Sequence, residues 1–127
     1  MEYFTLNNGV KMPAAGIGTF LLSPKDAENA VLAALGCGYN LIDTANAYMN
    51  ERGVGRGIRR SGVKREDIFL VTKLWPTEYA DGERAIDATL ARLGTDSLPA
   101  IALGVDPADR NVMKVPPVKS GTLFERG

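Results

Sequence analysis

Short apolar runs alternate with amphipathic stretches along most of the chain. The apolar runs predict buried β-strands at residues 14–20 (AAGIGTF), 39–43 (YNLID) and 67–75 (DIFLVTKLW). A weaker fourth strand is predicted at residues 98–105 (LPAIALGV), where Pro99 disfavours strand pairing. A segment with helical spacing follows each of the first three runs.

The best-marked helix starts after Ser23, which suits the N-cap position. Pro24 fits the first helical position, and the charge of Asp26 is favoured by the helix dipole. The apolar residues that follow share one helix face: Ala27, Ala30, Val31, Ala34 and Leu35. We expect Gly36 or Gly38 to end this helix.

Two further helices and one hairpin complete the predicted elements. One helix is expected over residues 50–61 and another from Asp81 to Gly94, with its apolar positions on one side at Ile86, Leu90 and Leu93. Near the N-terminus, Asn8-Gly9 separates two short runs with β character, and both residues tolerate positive φ, so a β-hairpin is predicted.

The order of elements is hairpin, then β, α, β, α, β, α, β. Strands that alternate with helices imply right-handed crossovers and a parallel sheet, so the fold class is α/β. Two arrangements remain open at this point, a doubly wound sheet and a piece of a barrel. From Asp106 onward the periodicity stops, and we expect an irregular or disordered tail over residues 106–127.

Composition narrows the classes of partner. The 127 residues suit one domain, and 15 basic residues balance 15 acidic ones, so we expect no nucleic-acid or lipid partner. No apolar run approaches the ~18 residues of a membrane span, and we see no secretory signal, which together predict a cytoplasmic protein. The chain has no histidine, and we expect its one cysteine, Cys37, to be a small buried side chain rather than a catalytic thiol.

Three chemically active side chains follow the ends of predicted strands. Asp43 ends one strand, Lys73 ends the next, and Tyr48 comes shortly after Asp43. In parallel βα folds these positions meet at one end of the sheet. An ammonium beside a phenol favours the phenolate and makes the phenol a better proton donor, while a carboxylate holds the ammonium in place. The structural alternative is that the Asp caps a helix, the Lys faces solvent and the Tyr packs in the core.

The same residues carry a family resemblance. The segments GIGTF, LIDTANAYMNERGVGRGI and REDIFLVTKLW resemble successive motifs of the aldo-keto reductases, and the similarity runs from about Phe4 to Asp96. The resemblance implies a β-hairpin followed by about half of a (β/α)8 TIM barrel with parallel strands, spanning residues 1–105. It also implies an NADPH-dependent oxidoreductase that reduces aldehydes or ketones, small carbonyl substrates, without a metal.

The resemblance assigns roles to the three side chains. By similarity Tyr48 is the proton donor, Lys73 makes its phenol more acidic, and Asp43 pairs with Lys73 and lies near the nicotinamide ribose of NADPH.

It also implies contacts with cofactor and substrate. Gly18, Thr19 and Phe20 match the first βα loop of the family, which contributes to the cofactor site. Phe20 and Trp75 match apolar walls of the carbonyl pocket. For both aromatic residues, packing in the hydrophobic core is an alternative of equal weight.

The glycine-rich segment GVGRG, residues 53–57, is not interpreted as a dinucleotide fingerprint. Such a fingerprint follows a strand directly, whereas Glu51 and Arg52 place this segment on a predicted helix. We expect its glycines to allow close packing.

The chain departs from the family pattern after Asp96. A fourth strand ending in a catalytic histidine is expected there, and no histidine is present. A full barrel needs ~250 residues. We therefore expect a truncated or frame-shifted product that diverges near Ser97, with a natural short form as the alternative.

Two alternatives to an active enzyme stay open. One is a catalytically inactive half-barrel that self-associates through exposed sheet edges, giving a homo-oligomer. The other is a small doubly wound binding module in which the Tyr and Lys are incidental.

Overall fold

The computed structural model describes residues 2–94, which begin with the predicted hairpin. Strands β1 (Tyr3–Thr5) and β2 (Lys11–Pro13) pair antiparallel. Gly9 donates its backbone N–H to the carbonyl of Leu6 at 2.9 Å and has a φ of 83°. Asn8 does not have positive φ, so the left-handed conformation in this turn belongs to the glycine.

Three parallel strands form the centre of the fold. They are β3 (Gly16–Gly18), β4 (Leu41–Asp43) and β5 (Phe69–Val71), hydrogen-bonded in the order β3-β4-β5. Gly18 lies opposite Asp43, and Asp43 lies opposite Val71. Neighbouring strands therefore follow chain order, as in a barrel segment, and the reversal that marks a doubly wound sheet does not occur among them.

The strands are shorter than the apolar runs that predicted them, and one is less buried than expected. Ile68, Phe69 and Leu70 are buried, which agrees with the prediction for the third run. In β3 both glycines are exposed and Ile17 is only half-buried. The prediction of a buried first strand was wrong because β3 lies at the edge of the described sheet and has little side-chain surface to cover.

Three helices follow the three strands and cover one face of the sheet. They are α1 (Pro24–Gly36), α2 (Glu51–Ser61) and α3 (Gly82–Leu93), close to the predicted bounds. The Ser23 hydroxyl accepts the Asp26 backbone N–H at 3.1 Å, which confirms the predicted N-cap. Helices and strands share one apolar core: Ala27, Val31, Leu35, Ile42, Val54, Ile58, Ile68, Leu70 and Leu93.

Helix α3 packs through a stripe that overlaps the predicted one at Leu93. Ala85, Thr89 and Leu93 are buried, whereas Ile86 and Leu90 are half-buried. Positions spaced by four residues lie on one face, and the small side chains of Ala85 and Thr89 let this face approach the rest of the fold. Of the three predicted apolar positions, Leu93 is therefore fully buried and belongs to the core, whereas Ile86 and Leu90 lie at the border of the buried face.

Cys37 is exposed, contrary to expectation. It caps the C-terminus of α1, and Gly38 follows with a φ of 85°. The chain leaves the helix at the surface here, so the thiol has no core to enter.

The glycines of residues 53–57 allow helices to pack closely, as predicted. A Cβ on Gly53 would collide with the backbone carbonyl of Pro24, and one on Gly55 with that of Leu93. Any larger side chain would push α2 away from α1 or α3.

Glu28 is a buried charged residue that the sequence did not reveal. Its carboxylate accepts from Arg56 Nε at 2.9 Å and from Arg60 at 2.5 Å. These two guanidinium groups, with a smaller contribution from Lys25, lower the pKa of Glu28 from 4.5 to about 2. An ion cluster therefore joins α1 to α2.

The predicted fourth strand at residues 98–105, the domain boundary at 105 and the tail from 106 to 127 lie outside the described residues. Within residues 2–94, no helix is long and apolar enough to cross a membrane.

Replacing Gly53 by Ala should destabilise the chain by about 1–3 kcal/mol, because the new methyl group would overpack against Pro24. Gly36→Ala is the matched control, since a Cβ there meets nothing within 4 Å. It should change stability by less than about 0.5 kcal/mol. Urea denaturation followed by circular dichroism measures the free energy of unfolding of both variants. An equal change in the two would contradict the close contact between Gly53 and Pro24.

The Glu28 cluster should weaken in acid. A carboxyl whose folded pKa is lowered to about 2 contributes stability above pH 4.5, and this contribution is lost as the pH falls from 4.5 towards 2. Glu28→Gln should therefore lower the urea midpoint at pH 7 and flatten its decline over that pH range. Glu66→Gln, at a side chain that is 73% exposed, should leave the decline unchanged. An unaltered slope in Glu28→Gln would be the contrary result.

Candidate active site

An ion pair joins the ends of two adjacent strands. Lys73 Nζ lies 2.7 Å and 2.8 Å from the two carboxylate oxygens of Asp43, the last residue of β4. The ammonium also donates to the carbonyl of Thr44 at 3.0 Å. Parallel pairing of β4 with β5 brings these residues to the same edge of the sheet. Both side chains are about half exposed, so the pair is open to a ligand.

Tyr48 lies above this ion pair. It ends a short 3₁₀ turn, Asn46–Tyr48, and Lys73 Nζ is 5.4 Å from the centroid of its ring, within the range of a cation–π contact. Among residues 2–94, no hydrogen bond joins the ammonium to the Tyr48 hydroxyl. The structure thus brings Asp43, Tyr48 and Lys73 together, with the ammonium beside the ring face.

The loop after β3 supplies an aromatic neighbour. Phe20 is 64% exposed, and its ring centroid lies 5.0 Å from that of Tyr48 with the planes tilted by 57°. Gly18 ends β3 opposite Asp43. Thr19 is fully buried, and its hydroxyl donates to Thr44 Oγ at 2.9 Å, so its side chain points into the fold. Of these three residues, Phe20 alone presents a side chain beside Tyr48.

Trp75 is 50% exposed and sits in the loop after β5. No ring contact joins it to Tyr48 among the described residues. Glu78 fixes this loop, because its carboxylate accepts the Trp75 backbone N–H at 3.1 Å and the Asn46 side-chain amide at 2.5 Å. The loop that carries Trp75 is thereby tied to the turn that carries Tyr48.

Asn50 is an unpredicted residue beneath the site. It is fully buried at the start of α2, and its side-chain NH₂ donates to the carbonyls of Thr19 at 2.7 Å and Leu22 at 3.0 Å. Its side-chain oxygen accepts the Thr44 hydroxyl at 3.3 Å. An Asn before a helix usually caps that helix, but here no cap bond forms. The sequence pattern therefore gave no sign of its contacts with residues that are distant along the same chain.

The next residue, Glu51, is also buried. One carboxylate oxygen accepts the Thr72 hydroxyl at 2.8 Å, and the other accepts Arg92 Nε at 2.6 Å and lies 3.5 Å from the Thr89 hydroxyl. Thr72 directly follows β5, and the other two partners belong to α3. Glu51 thus anchors α2 to the strand end that carries Lys73.

Among residues 2–94, no group of three or more His, Cys, Asp or Glu side chains is placed to hold a metal ion.

Comparison with known proteins agrees with this geometry. The model of the Aldo/keto reductase family matches residues 14–103, well over half of the chain. The chain belongs to the aldo/keto reductase family. A second model, Cation transporting ATPase, C-terminus, matches residues 90–127, which is less than half of the chain and establishes no family.

Two curated relatives illustrate the family similarity. Morphine 6-dehydrogenase of Pseudomonas putida is 50% identical over 93 residues, which cover 72% of this chain and 31% of the relative. Glycerol 2-dehydrogenase (NADP(+)) of Saccharomyces cerevisiae is 42% identical over 128 aligned residues, covering 95% of this chain and 41% of the relative. The chain thus spans about a third to two-fifths of the length of these relatives.

Solved aldo-keto reductases share the fold. An aldo/keto reductase from Brucella melitensis superposes with a TM-score of 0.73 at 44% identity, covering 76% of this chain and 38% of that one. The Bombyx mori aldo-keto reductase in complex with NADP gives 0.71 at 34% identity, covering 76% and 36%. The prediction of a hairpin followed by part of a parallel (β/α)8 barrel is confirmed.

Truncating Arg92 should test the anchor below the site. Arg92→Met leaves the buried Glu51 carboxylate without its cation and should destabilise the chain by about 3–5 kcal/mol. Adding Glu51→Gln should recover part of that loss because the uncompensated charge is removed. Arg84→Met is the control on the same helix: Arg84 is 83% exposed in its pair with Asp81, and its loss should cost less than about 1 kcal/mol. Urea midpoints compare the variants, and similar losses at Arg92 and Arg84 would refute a buried anchor.

Proposed function

We propose that this chain carries the proton-donating part of an NADPH-dependent carbonyl reductase, which converts aldehydes or ketones to alcohols. The observation that carries the proposal is the Asp43–Lys73 ion pair, at 2.7 Å, set against the ring of Tyr48 at the strand ends. Family membership supports the reaction type, since named relatives are dehydrogenases and reductases.

Tyr48 is the proposed proton donor. As negative charge develops on a carbonyl oxygen, the phenol transfers its proton to that oxygen. The Lys73 ammonium stabilises the negative charge of the phenolate that remains, and the Asp43 carboxylate holds the ammonium in position. Glu78 and Asn46 hold the neighbouring loops together, which limits movement of the phenol.

NADPH, when bound, supplies the hydride that reaches the carbonyl carbon. The residues at this edge of the sheet fit its nicotinamide end, because the Asp43 carboxylate is accessible and the backbone of Gly18, Thr19 and Phe20 lies at the adjacent strand end. We assign these four residues to that end of the cofactor. The yeast relative is named for NADP(+), and the silkworm enzyme was solved with NADP, which supports this choice.

The substrate is proposed to be a small carbonyl compound with an apolar body. Phe20 and Trp75 expose 64% and 50% of their surface on the two loops that flank Tyr48. Aromatic side chains left open beside a polar group are typical of a ligand site, where they bury apolar ligand surface. They form the proposed walls of the pocket around the substrate's carbonyl group, and the Tyr48 hydroxyl contacts the carbonyl oxygen.

A second candidate is a catalytically inactive half-barrel that self-associates. The observation in its favour is that, among residues 2–94, β3 and β5 each have a neighbouring strand on one side only. Unpaired edges of this kind can pair with another copy.

Tyr48→Phe should separate these candidates. If Tyr48 donates the proton, the rate of aldehyde-dependent NADPH oxidation should fall by about 10²–10⁴-fold, while NADPH binding measured by fluorescence is retained. Tyr39→Phe is the matched control, because Tyr39 is exposed and lies outside the site. It should leave the rate unchanged.

Two outcomes would reject the reductase. One is an unchanged rate in Tyr48→Phe, and the other is a wild-type chain that neither binds NADPH nor oxidises it. The second outcome, combined with a dimer mass from light scattering, would favour the self-associating half-barrel.

A further inference from the structure

The turn that carries Phe20 has an unfavourable backbone. The Leu22 N–H donates to the Thr19 carbonyl at 3.2 Å and closes a β-turn with Leu21 at its third position. Leu21 has a φ of 60°, a conformation that such turns normally give to Gly or Asn. Its side chain is 85% exposed, so packing of that side chain does not offset the strain.

Asn50 holds both ends of this turn. The two hydrogens of its NH₂ group go to the carbonyls of Thr19 and Leu22, the first and last residues of the turn. Asn50 is fully buried, so without this side chain both carbonyls would lose a partner that water does not readily replace. A single side-chain amide thus stabilises a turn whose backbone conformation is unfavourable for Leu21.

The same amide is tied to the loop of Tyr48. Asn50 follows Tyr48 by two residues, and its oxygen accepts from Thr44, next to Asp43. Met49, between Tyr48 and Asn50, is the other non-glycine residue with positive φ in residues 2–94, at 56°. Strained backbone on both sides of one buried side chain indicates that this side chain holds the local geometry.

We propose that Asn50 is a positioning residue: it stabilises the turn that contains the strained Leu21 and thereby holds the Phe20 ring against Tyr48. The ring contact of 5.0 Å is the product of this arrangement. The significance for catalysis rests on the proposed function, in which Tyr48 donates the proton and Phe20 forms a wall. The geometric claim itself is independent of turnover.

The test compares strain relief with side-chain removal. Asn50→Ala removes the two hydrogen bonds to the turn. The NMR chemical shifts of the Tyr48 ring protons, which Tyr48→Phe assigns, should then lose the ring-current contribution of Phe20. They should move towards their values in Phe20→Leu. The folding equilibrium constant should fall about tenfold or more. Adding Leu21→Gly should restore at least half of the shift, because glycine adopts positive φ without penalty.

Leu21→Ala is the matched control in the Asn50→Ala background. It removes the same side chain but keeps the steric cost of positive φ, so it should restore neither the shift nor the stability. If Asn50→Ala does not fold, Leu21→Gly should recover a folded chain and Leu21→Ala should not.

Three results would overturn the proposal: Tyr48 shifts that stay at wild-type values in a folded Asn50→Ala, a Leu21→Gly change that fails to rescue, or equal rescue by Leu21→Ala. None of these readouts depends on NADPH oxidation. Failure here is therefore distinguishable from failure of the reductase assay.

Discussion

In-register parallel pairing of three strands is the constraint on which the rest of the structure depends. Because β4 lies between β3 and β5, the residues that follow each strand emerge at one edge of the sheet. Ile42 and Leu70 hold the middle of these strands in the core, so the register is set by burial. Asp43 and Lys73 meet as a consequence, although 30 residues separate them in the chain.

The first residues of α2 fix the loops that follow the strands. Two consecutive buried residues make bonds in different directions: Asn50 to the loop after β3, and Glu51 to the end of β5 and to α3. Glycines in the same helix let it lie against both neighbouring helices. The loops that carry Phe20, Tyr48 and Lys73 are therefore supported by one helix from below, in addition to the contacts that they make with one another.

Elements with local signals could be predicted from the sequence, whereas contacts between distant polar residues could not. The capped helix after Ser23 and the buried run at β5 are marked by spacing and by neighbouring residues, and both were found. Glu28, Asn50 and Glu51 have the composition of surface positions, because a charged or amide side chain does not reveal its burial. Family resemblance suggested the role of Tyr48, but it did not indicate that the Lys73 ammonium lies beside the ring face.

The exposed thiol at the end of α1 has a practical value for physical study of this chain. Cys37 is the single cysteine in 127 residues, and its helix leads away from the strand ends where Asp43 and Lys73 meet. A maleimide dye or nitroxide would therefore attach at one place, on the surface and at the far end of α1. Distances from that label to a bound ligand could be measured without any amino-acid substitution.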